Sequence, residues 1–165
     1  MTTKNTYKVG DVIVDSDQIY KIYEMKEGLV YYKPLHLNDK HNSLTCSIPE
    51  ANLFKAGLRR PLTEEQVEHF LIELKGINVG EQLIDYKMVK ETIFLNDPSK
   101  TAPILKLLWE NKGKGDVYSR TDEDLLGAII SHLADEIALV LKITPEEAKR
   151  KIEKSGKKAK TVEKI

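Results

Sequence analysis

The apolar positions of this chain change period part-way along it. Between Tyr7 and Pro49 the segments YKVGDVIVD, QIYKIYEM, LVYYKPLHL and SLTCSIPE are rich in Val, Ile and Tyr, and DSD, KEG and LNDKHN separate them with turn-forming residues. In the last segment Leu44, Cys46 and Ile48 share one face and Thr45 and Ser47 the other, the period-two pattern of a strand half-buried on a core. The pattern predicts a β-meander of four or five strands closing as a small barrel, with Val12, Leu44 and Ile48 in its core. From Pro61 onward the spacing lengthens. Val67, Phe70, Leu71 and Leu74 make one helical stripe, and Leu126, Ile129, Ile130, Leu133, Ile137 and Leu141 another.

Helix starts are marked by a shared device. TEEQ at 63–66, TDED at 121–124 and TPEE at 144–147 each place a Thr three residues before an acid or amide, so Thr63, Thr121 and Thr144 are the expected N-caps. The acids in these first turns also oppose the positive helix terminus, which makes them caps before they are catalysts. DYKMVKETIFL reads as a further helix. DPSKTAPILKLLWENKGKG reads as another, capped by Asp97, with Pro98 at the first helical position, Pro103 inside and Gly113 and Gly115 at its end. Strands are thus segregated from about five helices. The fold class is α+β in two modules, 1–60 and 61–165.

Composition removes several function classes. The chain of 165 residues is 41% hydrophobic, enough for a packed core, and Lys plus Arg balance Asp plus Glu at 26 each, so no global basic excess announces a nucleic-acid binder. A single cysteine, Cys46, rules out an internal disulfide and a cysteine-rich zinc site and suits a cytoplasmic location. No apolar run reaches the ~20 residues of a membrane span, and the polar start MTTKNTYKVGD has no signal-peptide core.

No catalytic or metal signature stands out. His36, His41, His69 and His132 lack both the i, i+4 pairing and the cysteine company of a zinc site. Cys46 lies in a strand pattern as a small buried hydrophobe, and KGKG at 112–115 is a turn rather than a phosphate loop. No enzyme, cofactor or metal is expected. Two binding features remain. Lys21, Lys26 and Lys33 lie among Tyr20, Tyr23, Tyr31 and Tyr32, a surface suited to a peptide or to nucleic acid, or simply an ordinary half-exposed sheet. The basic tail KRKIEKSGKKAKTVEKI reads either as a phosphate contact or as a solubilising terminus.

The order of the pieces carries more. KVGD, then IPEANLFKAGLRRPLTEEQVE, then LADEIALVLKITPEEA resembles the CarD-like family of bacterial transcription regulators from about Tyr7 to Ser155. The resemblance implies a Tudor-like, polymerase-interacting barrel shared with transcription-repair coupling factors, and a helical domain that touches promoter DNA. It implies that the barrel binds the RNA polymerase β subunit by strand pairing, with Lys26 at one basic contact position and Ser47 where the family has a second. Arg59, Arg60 and Pro61 would set the passage between domains. The family's tryptophan wedge is missing from EQLIDYKMVK, where Tyr86 is the nearest aromatic, beside Lys87 and Lys90. Trp109, between Leu105, Leu108 and ENK, reads as core, and Ala128 and Ile130 occupy positions where basic residues would strengthen a DNA grip. The expectation is therefore a monomeric regulator that binds polymerase and contacts DNA weakly and without sequence preference through Tyr86, Lys87 and Lys90. The alternative is a protein-interaction adaptor that binds no DNA.

Overall fold

Strands come first and helices after. The computed structural model describes residues 6–16, 18–35, 45–80, 82–112 and 114–157. Its elements are β1 (Val12–Val14), β2 (Ile19–Lys26), β3 (Leu29–Pro34), β4 (Cys46–Pro49), a 3-10 turn (Glu50–Asn52), α1 (Glu64–Gly76), α2 (Tyr86–Phe94), α3 (Pro98–Asn111), α4 (Arg120–Leu141) and α5 (Pro145–Gly156). The fold is α+β, and the chain divides into two units, Met1–Pro61 and Leu62–Ile165.

In the first unit β1 to β4 form one antiparallel sheet in sequence order. β2 turns into β3 through Glu27 and Gly28, both at positive φ (54° and 75°), as the two-residue hairpin turn that matches strand twist demands. Cross-strand rows explain the core. Ile13 opposes Tyr20, Ile22 opposes Tyr32 and Cys46 continues that row, while Met25, Val30 and Ile48 make the next. Ile13, Tyr20, Ile22 and Val30 are buried with Leu53 and Leu58, and Tyr20 meets Tyr32 edge-to-face at 5.0 Å.

Two expectations need correction here. Val12 is only half-buried, because its register pairs it with Lys21 on the outward row, and the inward residue is its neighbour Ile13. The sheet is also open rather than a closed barrel, since β1 and β4 do not pair among the described residues. The outer side of β1 is taken by Arg59, whose backbone exchanges hydrogen bonds of 2.8 and 3.1 Å with Val14. Leu44, His36 and His41 lie outside the described residues.

The segment Gly57 to Arg60 returns the chain to this sheet. Gly57 has φ 79°, and the Leu58 amide donates to the Leu53 carbonyl (3.1 Å), the six-to-one bond of a Schellman turn that only a residue at ease with positive φ closes without strain. Leu58 drops into the core against Leu53. Arg60 donates to Asp11 (3.3 Å) and to the Thr6 carbonyl (3.1 Å), and its guanidinium lies 4.3 Å from the centre of the Tyr7 ring.

The second unit is a helical bundle with an apolar core drawn from Val67, Phe70, Leu105, Leu133, Ile137 and Ile152 among others. Thr63 with Gln66 and Thr144 with Glu147 form the expected capping boxes, and Asp97 caps α3 ahead of Pro98. α4 differs: its N-cap is Ser119, whose hydroxyl accepts from the Asp122 amide, and Thr121 is already helical. SRTD and TDED overlap in sequence, and the chain adopts the cap whose acid, Asp122, is buried. α3 runs through Pro103 and ends at Asn111, with Lys112 rather than a glycine as its C-cap; Gly113 lies outside the described residues. Glu136, fully buried, accepts the Leu62 amide at 2.9 Å and so fixes the start of α1 against α4. Trp109 packs half-buried on the core, and Ile130 points into it.

Gly156 rests against the Trp109 ring so closely that a Cβ there would fall 1.7 Å from Cζ3. Gly156→Ala should therefore destabilise the helical unit by about 1–3 kcal/mol through overpacking, read by urea unfolding on the fluorescence of the sole tryptophan. Gly127→Ala, at an exposed α4 site with open space around the added methyl, should instead stabilise by about 0.5–1 kcal/mol. Equal effects from both would rule out the Trp109 contact as the cause.

Candidate functional site

The outward face of the sheet gathers most of the lysines and tyrosines singled out in the first unit. Lys21 stands directly opposite Lys33, and Glu24, Tyr31 and Ser47 make the next outward row. Tyr23 is the extra residue of a β-bulge between Ile22 and Glu24, which turns its ring outward beside Tyr31 with centroids 6.2 Å apart. The Lys33 ammonium lies 4.4 Å from the centre of the Tyr23 ring, an attraction that offsets part of the Lys21–Lys33 repulsion. Tyr20 and Tyr32 belong to the core instead. The four tyrosines thus divide into a structural pair and a surface pair.

Lys26 and Ser47 are both exposed and share this outward face, but they are not neighbours. Lys26 ends β2 beside the hairpin turn, whereas Ser47 lies in the middle of β4, two strands over and two residues along; standard strand spacings put them on the order of 12 Å apart. β4 is the outer strand of the sheet, and among the described residues its far side pairs with no strand. Such an edge offers backbone donors and acceptors to an added strand.

In the second unit Lys87 and Lys90 are exposed on α2, as the helical spacing requires. Tyr86, at the first helical position, is 42% exposed, but its hydroxyl is engaged: it donates to Asp122 Oδ1 in the first turn of α4. That hydrogen bond is the main reason its phenol is held above its ordinary pKa. Asp122 is 1% exposed and also accepts from the Ser119 amide at 2.8 Å. Tyr86 thus pins the start of α2 to the cap of α4, a role that sequence spacing could not show across 36 positions. Around α2 the exposed side chains include Leu83, Met88, Phe94 and Leu95 as well as the two lysines.

The remaining titratable groups fit structural roles. Tyr118 donates to Glu123, and burial followed by that bond raises its phenol pKa. Glu123 is held below the usual carboxylate value, first by Tyr118 and then by Lys112 at 3.3 Å. The Cys46 thiol is half-buried and pushed up by burial and by the Asp15 carboxylate, which keeps it in its weakly nucleophilic thiol form. His69 is exposed on α1 at 4.0 Å from Glu73. Among the described residues no group of three or more His, Cys, Asp or Glu could hold a metal ion, and no helix is long and apolar enough to cross a membrane. Against known proteins, no family model matches the chain and no curated protein matches it.

Two outcomes follow from these contacts. Tyr86→Phe should cost about 1 kcal/mol in urea unfolding, the value of one hydrogen bond to an acceptor that keeps another donor, and an unchanged midpoint would show the bond to be energetically idle. Because the Glu123 pKa is depressed on folding, its contribution is present above the unfolded value of about 4.3 and is lost as pH falls through the lower folded value. Tyr118→Phe removes the first cause, so the gap in stability between wild type and variant should shrink as pH is lowered through that window.

Proposed function

We propose that this chain is a non-catalytic, CarD-like transcription regulator that docks on the RNA polymerase β subunit through its first unit and contacts promoter DNA through its helical unit. The observation that carries the reading is the β4 edge, which pairs with no strand among the described residues, next to an outward face that bears Lys21, Lys26 and Lys33. A strand of the partner adds to β4 by main-chain hydrogen bonds, and the lysines set orientation and encounter rate. Since Lys26 lies at the hairpin end and not on β4, it meets the partner flank rather than the added strand itself. Ser47, exposed in the middle of β4, contributes no charge.

The DNA contact is weak in this reading. Lys87 and Lys90 supply two phosphate contacts, so the affinity falls with a log–log salt slope of only about −2. Tyr86 cannot insert between bases without giving up its bond to Asp122, so its share is a surface contact. The domain acts on DNA when polymerase holds it near the promoter at high effective concentration. The exposed Leu83, Met88, Phe94 and Leu95 favour a second reading, in which the same helical surface binds protein and the chain is an adaptor.

Binding to a purified polymerase β fragment tests the proposal. Lys26→Glu should weaken the complex several-fold through charge reversal at an exposed site, with thermal stability unchanged within about 0.5 kcal/mol. Ser47→Arg should tighten it by adding charge on the edge strand. If neither substitution alters the affinity, or the parent chain fails to bind the fragment, the docking assignment is wrong. DNA affinity that is indifferent to salt would transfer the helical surface to the adaptor reading.

A further inference from the structure

We infer that the outward face of the sheet binds single-stranded nucleic acid, with Tyr23 and Tyr31 stacking on bases and Lys21, Lys26 and Lys33 meeting phosphates. The face departs from an ordinary solvated sheet in two respects. Lys21 and Lys33 are direct cross-strand partners, which brings two cations to roughly 5 Å at their Cβ atoms and destabilises the pair. Tyr23 is the extra residue of the β2 bulge, and its ring is turned outward beside Tyr31. Neither feature serves the core of this unit, which is built from Ile13, Tyr20, Ile22, Val30, Leu53 and Leu58.

The charge on this face has no internal answer. Glu24 is the only carboxylate in the four strands, against Lys21, Lys26 and Lys33. Among the described residues these three lysines enter no ion pair. Lys33 is held instead over one side of the Tyr23 ring, 4.4 Å from its centre, while Tyr23 remains 37% exposed. A cation and a ring held together in this way present charge and a π-face to the same ligand.

Charge alone would suit an acidic peptide equally, and the rings decide between the two. Bases stack on aromatic side chains whatever their identity, and cations beside the rings track the backbone, the combination by which sequence-tolerant single-strand sites work. A duplex keeps its bases stacked on one another and would leave Tyr23 and Tyr31 unused. A strand added at β4 lies in the plane of the sheet, whereas nucleic acid lies on its face, so the proposal does not depend on polymerase docking. It also uses none of Tyr86, Lys87 and Lys90 of the helical unit.

The test is the fluorescence anisotropy of a labelled oligothymidylate of about ten nucleotides, titrated with the full-length chain at low salt. Binding should saturate, with a log–log salt slope of about −2 from three phosphate contacts on a single strand. Tyr23→Ala should weaken it roughly tenfold, and Tyr23→Phe should preserve it, because the ring carries the contact. Lys21→Ala with Lys33→Ala should reduce the slope by about 1.4, and Lys87→Ala with Lys90→Ala should leave it unchanged. Lys21→Thr alone should weaken binding while raising the urea midpoint, since it relieves the repulsion with Lys33 and suits a strand. Absence of binding overturns the proposal, as do equal losses from the two lysine pairs or a Lys21→Thr chain that loses stability in step with binding. Tighter binding of a duplex of the same length overturns it too, as does tighter binding of an oligoglutamate peptide that Tyr23→Ala leaves intact.

Discussion

The constraint on which both units depend is the satisfaction of the backbone between Arg59 and Leu62. Backbone groups removed from water must find partners, and here they do so on two sides. Arg59 exchanges both of its main-chain bonds with Val14 and so finishes the edge of the sheet. Leu62 gives its amide to Glu136, a fully buried carboxylate that would be costly to hold in the interior without such donors. Only Arg60 and Pro61 lie between. Arg60 uses its side chain on Asp11, Thr6 and Tyr7, and Pro61 has no amide hydrogen to place. The run Gly-Leu-Arg-Arg-Pro is therefore a sequence of separate fastenings: a positive-φ turn, a core plug, an edge bridge, a cation clamp and a residue without a donor.

Local chemistry was legible in the sequence, and long-range closure was not. The capping boxes at Thr63 and Thr144 depend on residues three apart, and the Asp97–Pro98 start needs only two neighbours, so these features follow from short-range stereochemistry. The change from period two to period 3.6 likewise locates the passage from strands to helices. The start of α4 failed for an instructive reason. Two overlapping cap signals, at Ser119 and Thr121, are equivalent locally, and the burial of Asp122 with its bond from Tyr86 distinguishes them only once α2 is in place. Val12 failed because three consecutive apolar residues, Val12, Ile13 and Val14, carry no phase; the pairing of Ile13 with Tyr20 sets it.

The candidate binding surfaces show the same division. Lys26 and Ser47 are visible as exposed strand residues, but their separation across the sheet depends on a register that the bulge at Tyr23 shifts by one. Lys87 and Lys90 are legible because they lie on one helix. The facing of Lys21 and Lys33 across β2 and β3 is not, since it depends on the strand register. A balanced total of 26 cationic and 26 anionic side chains hides such local juxtaposition. Net charge limits what a protein does at a distance; the local excess decides what it holds at close range.

The tie between Tyr86 and Asp122 bears most directly on how the helical unit works. A wedge residue inserts into a base step by trading solvent for stacking, which asks that its side chain be free to reorient. Tyr86 begins instead with its hydroxyl committed to a buried acid that also caps α4, so insertion would break a hydrogen bond and leave Asp122 with one donor fewer. The net gain is correspondingly small. Lys87 and Lys90 are exposed on α2 and, in the proposed DNA contact, would meet phosphates without disturbing the core. The geometry therefore favours a contact made by charge at the surface over one made by intercalation, and the rigidity that Tyr86 gives to α2 fixes where that charge is presented.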